Sequence, residues 1–184
     1  ILGKAGKKIT QRDMELLLTK TGTDMGNLRM EMEKLISYTE GRDVVTAEDI
    51  EEICTTQTTN RIFDMVRAVT EKNQKRALEL YYDLLTLKEP PMRILFLLAK
   101  QYRQLLLAKQ FAAAGLAQTE IASKLGVPGF VVRNITTCAR AYTISELEQA
   151  VKDFVDAEES VKTGRLEDKL SVELLIIKYS SKVK

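Results

Sequence analysis

The sequence predicts an all-α protein, on three observations. Apolar residues recur at helical rather than alternating spacing almost throughout, and only three prolines interrupt the pattern. A hydrophobic content of 45% over 184 residues is enough to pack a core in one larger domain or two small ones.

Residues 10–21 form the first expected helix, with Met14, Leu17 and Leu18 on one face and Gly22 as a left-handed stop. The second begins at Thr23 or Asp24, places Leu28, Met32, Leu35 and Ile36 along one stripe, and ends at Gly41. The third opens at Thr46, whose hydroxyl can cap the free amides while Asp49 reaches back, a capping box that turns Ile50 and Ile53 inward. No strand is required. Residues 55–60 read TTQTTN, a polar run of poor helix formers and the clearest composition shift in the chain. A domain boundary is expected there, giving residues 1–56 and 57–184.

Beyond it, one amphipathic helix carries Ile62, Val66 and Val69, and the next carries Ala77, Leu80, Tyr81, Leu84 and Leu85. Pro90 and Pro91 suit the first turn of a long leucine-rich helix that runs to Ala113 and stops before Gly115. Residues 119–125, 130–142, 145–163 and 168–180 follow as helices, the last despite its β-branched residues. Short connections favour antiparallel neighbours in a bundle.

Charge and composition exclude several function classes. Twenty-eight Lys and Arg against 26 Asp and Glu leave a formal charge of +2, so binding to nucleic acid or membrane needs a local patch. With no histidine, the commonest general base and zinc ligand are missing, and the two cysteines, Cys54 and Cys138, read as buried thiols. No catalytic residue, metal site or cofactor is expected. The longest apolar run, residues 94–99, is far short of a bilayer span, and no basic-then-apolar leader opens the chain. A cytoplasmic location without membrane contact is expected. The chain starts at Ile1, in mid-phrase and without an initiating methionine, and is expected to be a piece of something longer.

Two local patterns could touch nucleic acid. Residues 118–133, QTEIASKLGVPGFVVR, resemble a helix-turn-helix, but the second helix opens on Pro128, Gly129 and Phe130, where a DNA reader presents polar side chains. Val131, Ile135, Cys138 and Tyr142 form an apolar stripe there, and only Arg133 and Asn134 are early polar residues. A structural corner and a DNA-binding regulator centred on residues 118–140 are the two readings. The long helix carries Arg93, Lys100 and Arg103, with Gln104, near one face; that stripe is either solvated or a set of phosphate contacts. The adjacent pairs Glu51–Glu52 and Glu158–Glu159 diverge around their helices and read as surface charge. Met30, Met32 and Met65 read as core or gap fillers, and no phosphate-cradling glycine loop occurs.

An ordered set of phrases resembles the delta subunit family of the bacterial DNA polymerase III clamp loader: GTDMGNL (22–28), EMEKLISY (31–38), VTAEDI (45–50), RIFDM (61–65), QYRQLL (101–106), EIASKLGV (120–127) and VKTG (161–164). The resemblance implies a small three-helix AAA+-like lid over residues 1–56 and a helical-bundle collar over residues 57–184, through which the clamp-loader pentamer assembles. It implies gamma/tau and delta-prime subunits as partners and only indirect contact with primer-template DNA. The sliding clamp is opened, in that family, by an N-terminal domain outside these residues. The resemblance further implies the polymerase III holoenzyme, a DNA-directed DNA polymerase and nucleotidyltransferase, as the parent complex, whereas this chain is expected to carry no reaction. GNLR (26–29) resembles the place where ATP-binding relatives carry a sensor arginine, so Arg29 is a sensor-like position. The corresponding region of an ATP-binding gamma-like or delta-prime-like paralogue remains the alternative within the family.

Overall fold

Thr10, Asp24 and Thr46 each stand in extended backbone just ahead of a helix. The structure, a computed structural model describing residues 1–22, 24–55 and 58–181 (for Thr59 the backbone alone), shows each of them accepting an amide hydrogen bond from the first turn. The helices so started are α1 (Gln11–Thr21), α2 (Met25–Tyr38) and α3 (Ala47–Ile53). Thr46 and Asp49 form the expected capping box. These helices belong to the first of two compact units, Ile1–Asn60, the second being Arg61–Lys184. Thr23, one expected start of the second helix, and Thr56 and Gln57, at the expected boundary, lie outside the described residues.

The core of the first unit is Leu2, Leu17, Leu28, Met32, Leu35, Val45, Ile50 and Cys54. Several expectations are corrected here. A short parallel pairing exists: β1 (Lys8–Ile9) lies beside β2 (Val44–Val45), Lys8 opposite Val44. Two residues are too few for an alternating pattern to show. Helix α2 ends at Tyr38, with Thr39 as its cap, not at Gly41. The Thr39 hydroxyl returns to the Leu35 carbonyl, and the Lys7 ammonium closes on the carbonyls of Thr39 (2.7 Å) and Arg42 (2.6 Å). Gly22 has φ 79° but ψ −175°, so it turns the chain sharply without being left-handed helical. Met30 is 58% exposed and fills no gap, whereas Met32 is buried.

Among the described residues, seven helices make the second unit: α4 (Thr58–Thr70), which begins just before the division, α5 (Gln74–Thr86), α6 (Pro91–Ala113), α7 (Gln118–Leu125), α8 (Gly129–Ala139), α9 (Ile144–Lys162) and α10 (Asp168–Ser180). Helix α6 is the hub, packing against α7, α8, α9 and α10, while α10 also packs on α5. Pro91 occupies its first turn as expected. Met65 is fully buried here. At the centre, the Tyr102 ring lies 5.0 Å from Phe154 and 5.5 Å from Tyr179, and its hydroxyl meets that of Tyr142 at 3.1 Å. Pairing satisfies hydroxyls that burial would otherwise leave without partners.

On α8 the buried stripe is Val132, Ile135, Cys138 and Ala139, continuing to Tyr142. Val131, expected in that stripe, is only half-buried and packs at the core's margin. One residue's difference is 100° around a helix, and the alternative phase became visible only when α6 was in place beneath it. Among the described residues no helix is long and apolar enough to cross a membrane.

Candidate functional site

Helix α10 is apolar on two sides. Val172, Leu175 and Ile176 are buried in the core, while Leu170 (41% exposed), Leu174 (48%) and Ile177 (39%) stand at i, i+4 and i+7 facing outward. At 100° per residue these three lie within an arc of about 60°. A soluble helix needs only one apolar face to join its own core, so the second face requires explanation. Neighbouring groups hold it in place. The Tyr81 hydroxyl donates to the Lys169 carbonyl at 3.1 Å, and half-exposed Tyr82 donates to Glu173 Oε1 at 3.0 Å, which extends the surface onto α5. On the other flank Lys178 and the Tyr179 hydroxyl both donate to Asp153 on α9. Burial works against ionisation of Asp153, yet these donors and Gln149 hold its carboxyl below the ordinary range. Covering the three exposed side chains would contribute about 2–4 kcal/mol, taking each as roughly half of a full burial.

A second outward face, on α6, differs in kind. Arg93, Phe96, Lys100 and Arg103 are all exposed and fall within an arc of about 80° over roughly 15 Å of axis. The expected basic stripe is therefore present as a surface. Two details were not anticipated: Arg93 is paired with Glu89 at 3.1 Å, and Phe96, 61% exposed, sits among the cations. The signal for Phe96 was its spacing, three residues from Arg93 and four from Lys100.

The remaining expected positions are distributed elsewhere. Arg29 is largely exposed on α2, its Nε donating to Glu33 Oε1 at 2.9 Å one turn along the same helix. In the α7–α8 corner, Gly126 takes the left-handed turn at φ 64°, and the Ala117 amide is capped by Glu120. The opening of α8 presents Gly129 with half-buried Phe130 and Val131, and Arg133 is exposed beyond them while Asn134 is half-buried. Helices α7 and α8 pack on one another and on α6, so the corner is part of the core of its unit. Glu51 and Glu52 are exposed, Glu51 pairing with Lys20 and Glu52 accepting from Tyr38; Glu158 and Glu159 pair with Lys162 and Arg165.

Cys54 and Cys138 are both buried free thiols. Burial pushes the Cys54 thiol up to about 11, assisted by the Glu31 carboxylate, and burial likewise raises Cys138. A thiol so held is protonated at neutral pH and is a poor nucleophile. Among the described residues no three His, Cys, Asp or Glu side chains converge as metal ligands. The two outward faces are thus an apolar ridge on α10 and a cationic, aromatic one on α6.

The family model described as DNA polymerase III delta subunit, C-terminal domain, matches residues 59–179. DNA polymerase III subunit delta of Bacillus subtilis is 27% identical over 171 residues, 93% of this chain and 49% of the relative. A probable DNA polymerase III subunit delta of Aquifex aeolicus is 23% identical over 123 residues, 66% of this chain and 35% of the relative. The solved Bacillus subtilis DNA clamp loader delta protein superimposes with a TM-score of 0.87 at 25% identity, covering 98% of this chain and 53% of that one. The chain thus spans about half the length of the Bacillus proteins it matches.

Proposed function

Because the chain belongs to the family defined by the C-terminal domain of the DNA polymerase III delta subunit, we propose that it is an assembly module of a bacterial clamp loader. Residues 57–184 act as the collar that joins gamma/tau and delta-prime subunits in a pentamer, and residues 1–56 act as an AAA+-like lid. The pentamer loads the sliding clamp onto primed DNA for the polymerase. This chain holds its neighbours together and leaves nucleotide chemistry to them. The observation that carries this reading is the outer stripe Leu170, Leu174 and Ile177 of α10, an apolar face beyond what the unit's own core uses. Arg93, Lys100 and Arg103 on α6 serve as contacts to DNA phosphates, which position a duplex or strand without reading its sequence.

Co-purification with gamma and delta-prime collar domains tests the assembly. Leu174→Glu places a charge in the centre of the stripe and is expected to weaken association at least tenfold, about 1.4 kcal/mol. Its own stability should change by less than about 0.5 kcal/mol, since the side chain is half in solvent already. A wild-type chain that stays monomeric beside those partners at micromolar concentration, or a Leu174→Glu variant that assembles normally, would remove the α10 face from the interface.

A further inference from the structure

Helix α6 is the longest among the described residues, and its 23 residues contain no Asp or Glu. It carries Arg93, Lys100, Arg103 and Lys109 in a molecule whose net charge is only +2. Two of these cations are engaged: Arg93 with Glu89, and Lys109 with the Ala139 carbonyl at 2.9 Å, where it closes the end of α8. Among the described residues neither Lys100 nor Arg103 has an ion-pair partner. Phe96 projects from the same arc at 61% exposure, and the exposed residues one turn to either side of it are Arg93 and Lys100.

That combination separates this face from α10. A protein-binding ridge is continuous in apolar side chains, as on Leu170, Leu174 and Ile177, whereas here one ring stands alone between cations. A duplex would engage mainly the cations, because its bases are stacked inward and offer a phenyl ring no face to stack on, only a thymine methyl at the groove edge. A single strand offers both an unstacked base for the ring and phosphates on either side for the cations.

We infer that the outer face of α6 binds single-stranded nucleic acid, with Phe96 stacking on one base and Lys100 and Arg103 holding the adjoining phosphates. The inference rests on the phosphate reading of this stripe and adds to it the preference for a single strand. At roughly 15 Å the face spans two or three nucleotides, so it guides a strand already brought close and is not a tight independent site.

Fluorescence anisotropy of the whole chain with a labelled oligothymidylate, and with a duplex of equal length, over a range of salt concentrations tests this. Phe96→Ala should lower affinity for the single strand about 5- to 150-fold, as expected for removal of one stacking interaction, with the salt slope and duplex affinity unchanged. The double variant Lys100→Gln, Arg103→Gln should flatten the single-strand salt slope by about 1.4, some 0.7 for each phosphate no longer neutralised. If the cation variant weakens both forms alike while Phe96→Ala changes nothing, the phosphate contacts stand and the single-strand preference is overturned. No effect from either variant overturns both. A Phe96→Ala chain that keeps its strand affinity but no longer associates with collar domains would reassign the ring to the protein interface.

Discussion

The two units close their cores with different chemistry. In the first, buried side chains are aliphatic or sulfur-bearing, with no aromatic ring among them, and polar side chains from distant positions finish the helix ends. Lys7 closes α2, Lys20 donates to the Ile50 carbonyl at 3.1 Å near the end of α3, and Asn27 and Asn60 donate to the Thr21 and Lys20 carbonyls at the end of α1. Burial opposes the Asp49 charge, but hydrogen bonds from Thr46 and Arg42 hold its carboxyl below the ordinary range. In the second unit, an aromatic group of Tyr102, Tyr142, Phe154 and Tyr179 joins α6, α9, α10 and the end of α8. The contrast follows size. Side chains finish helix ends in the second unit too, Lys109 at the Ala139 carbonyl and Lys72 at that of Tyr179, so what size adds is an interior wide enough for rings.

Alkali should separate the two most sharply. Burial pushes the Tyr142 phenol up to about 12 and raises Tyr102 and Tyr179 as well, with Asp153 adding to the effect at Tyr179. A phenol raised above its ordinary value near 10 contributes stability that is fully present below about pH 10 and lost as pH rises through the folded value. Tyrosinate absorbance should therefore show a cooperative step, coincident with loss of helix signal, from the second unit. Tyr38, the one tyrosine of the first unit, is exposed, so Tyr38→Phe should leave the amplitude of that step intact. A smooth, non-cooperative titration of every tyrosine would break the comparison.

Next in size is Phe154→Ala, expected to cost about 3–5 kcal/mol through the cavity left among the rings. Faster amide exchange in α6, α9 and α10 would report it. A loss below about 1 kcal/mol would mean that the aromatic group is decoration on an aliphatic core. Smaller again is Lys20→Met, which keeps most of the mainly buried stem but removes the donor to α3. The expected loss is about 1.5–3 kcal/mol, read as faster exchange near Ile50 to Cys54. An unchanged rate there would show that water serves those carbonyls equally well, and the first unit would no longer depend on side-chain closure.

Local features were legible in the sequence because their physics is local. The Thr46–Asp49 capping box, Pro91 at the head of α6, and the order and type of the helices follow from side-chain donors, fixed φ and periodicity within a few residues. Arg93, Lys100 and Arg103 were found together for the same reason. Misses occurred where a distant partner decides. Val131 and Val132 are equivalent until α6 selects one, and Met30 and Met32 differ only in which side of α2 has a neighbour. The Lys8–Ile9 pairing with Val44–Val45 joins residues too far apart for any window, and only packing shows that Phe96, within a leucine-rich run, faces outward.

By itself, then, the sequence determined an all-helical chain, most of its helix starts and stops, and the ordered phrases that resemble its family. Those are properties of spacing and of residue type along the chain. Only the tertiary structure decided which apolar face of α10 is buried. Its apolar residues stand on two sides of the helix and single out neither, so packing against α5, α6 and α9 selects the inner face. Leu170, Leu174 and Ile177 are thereby left on the outer face.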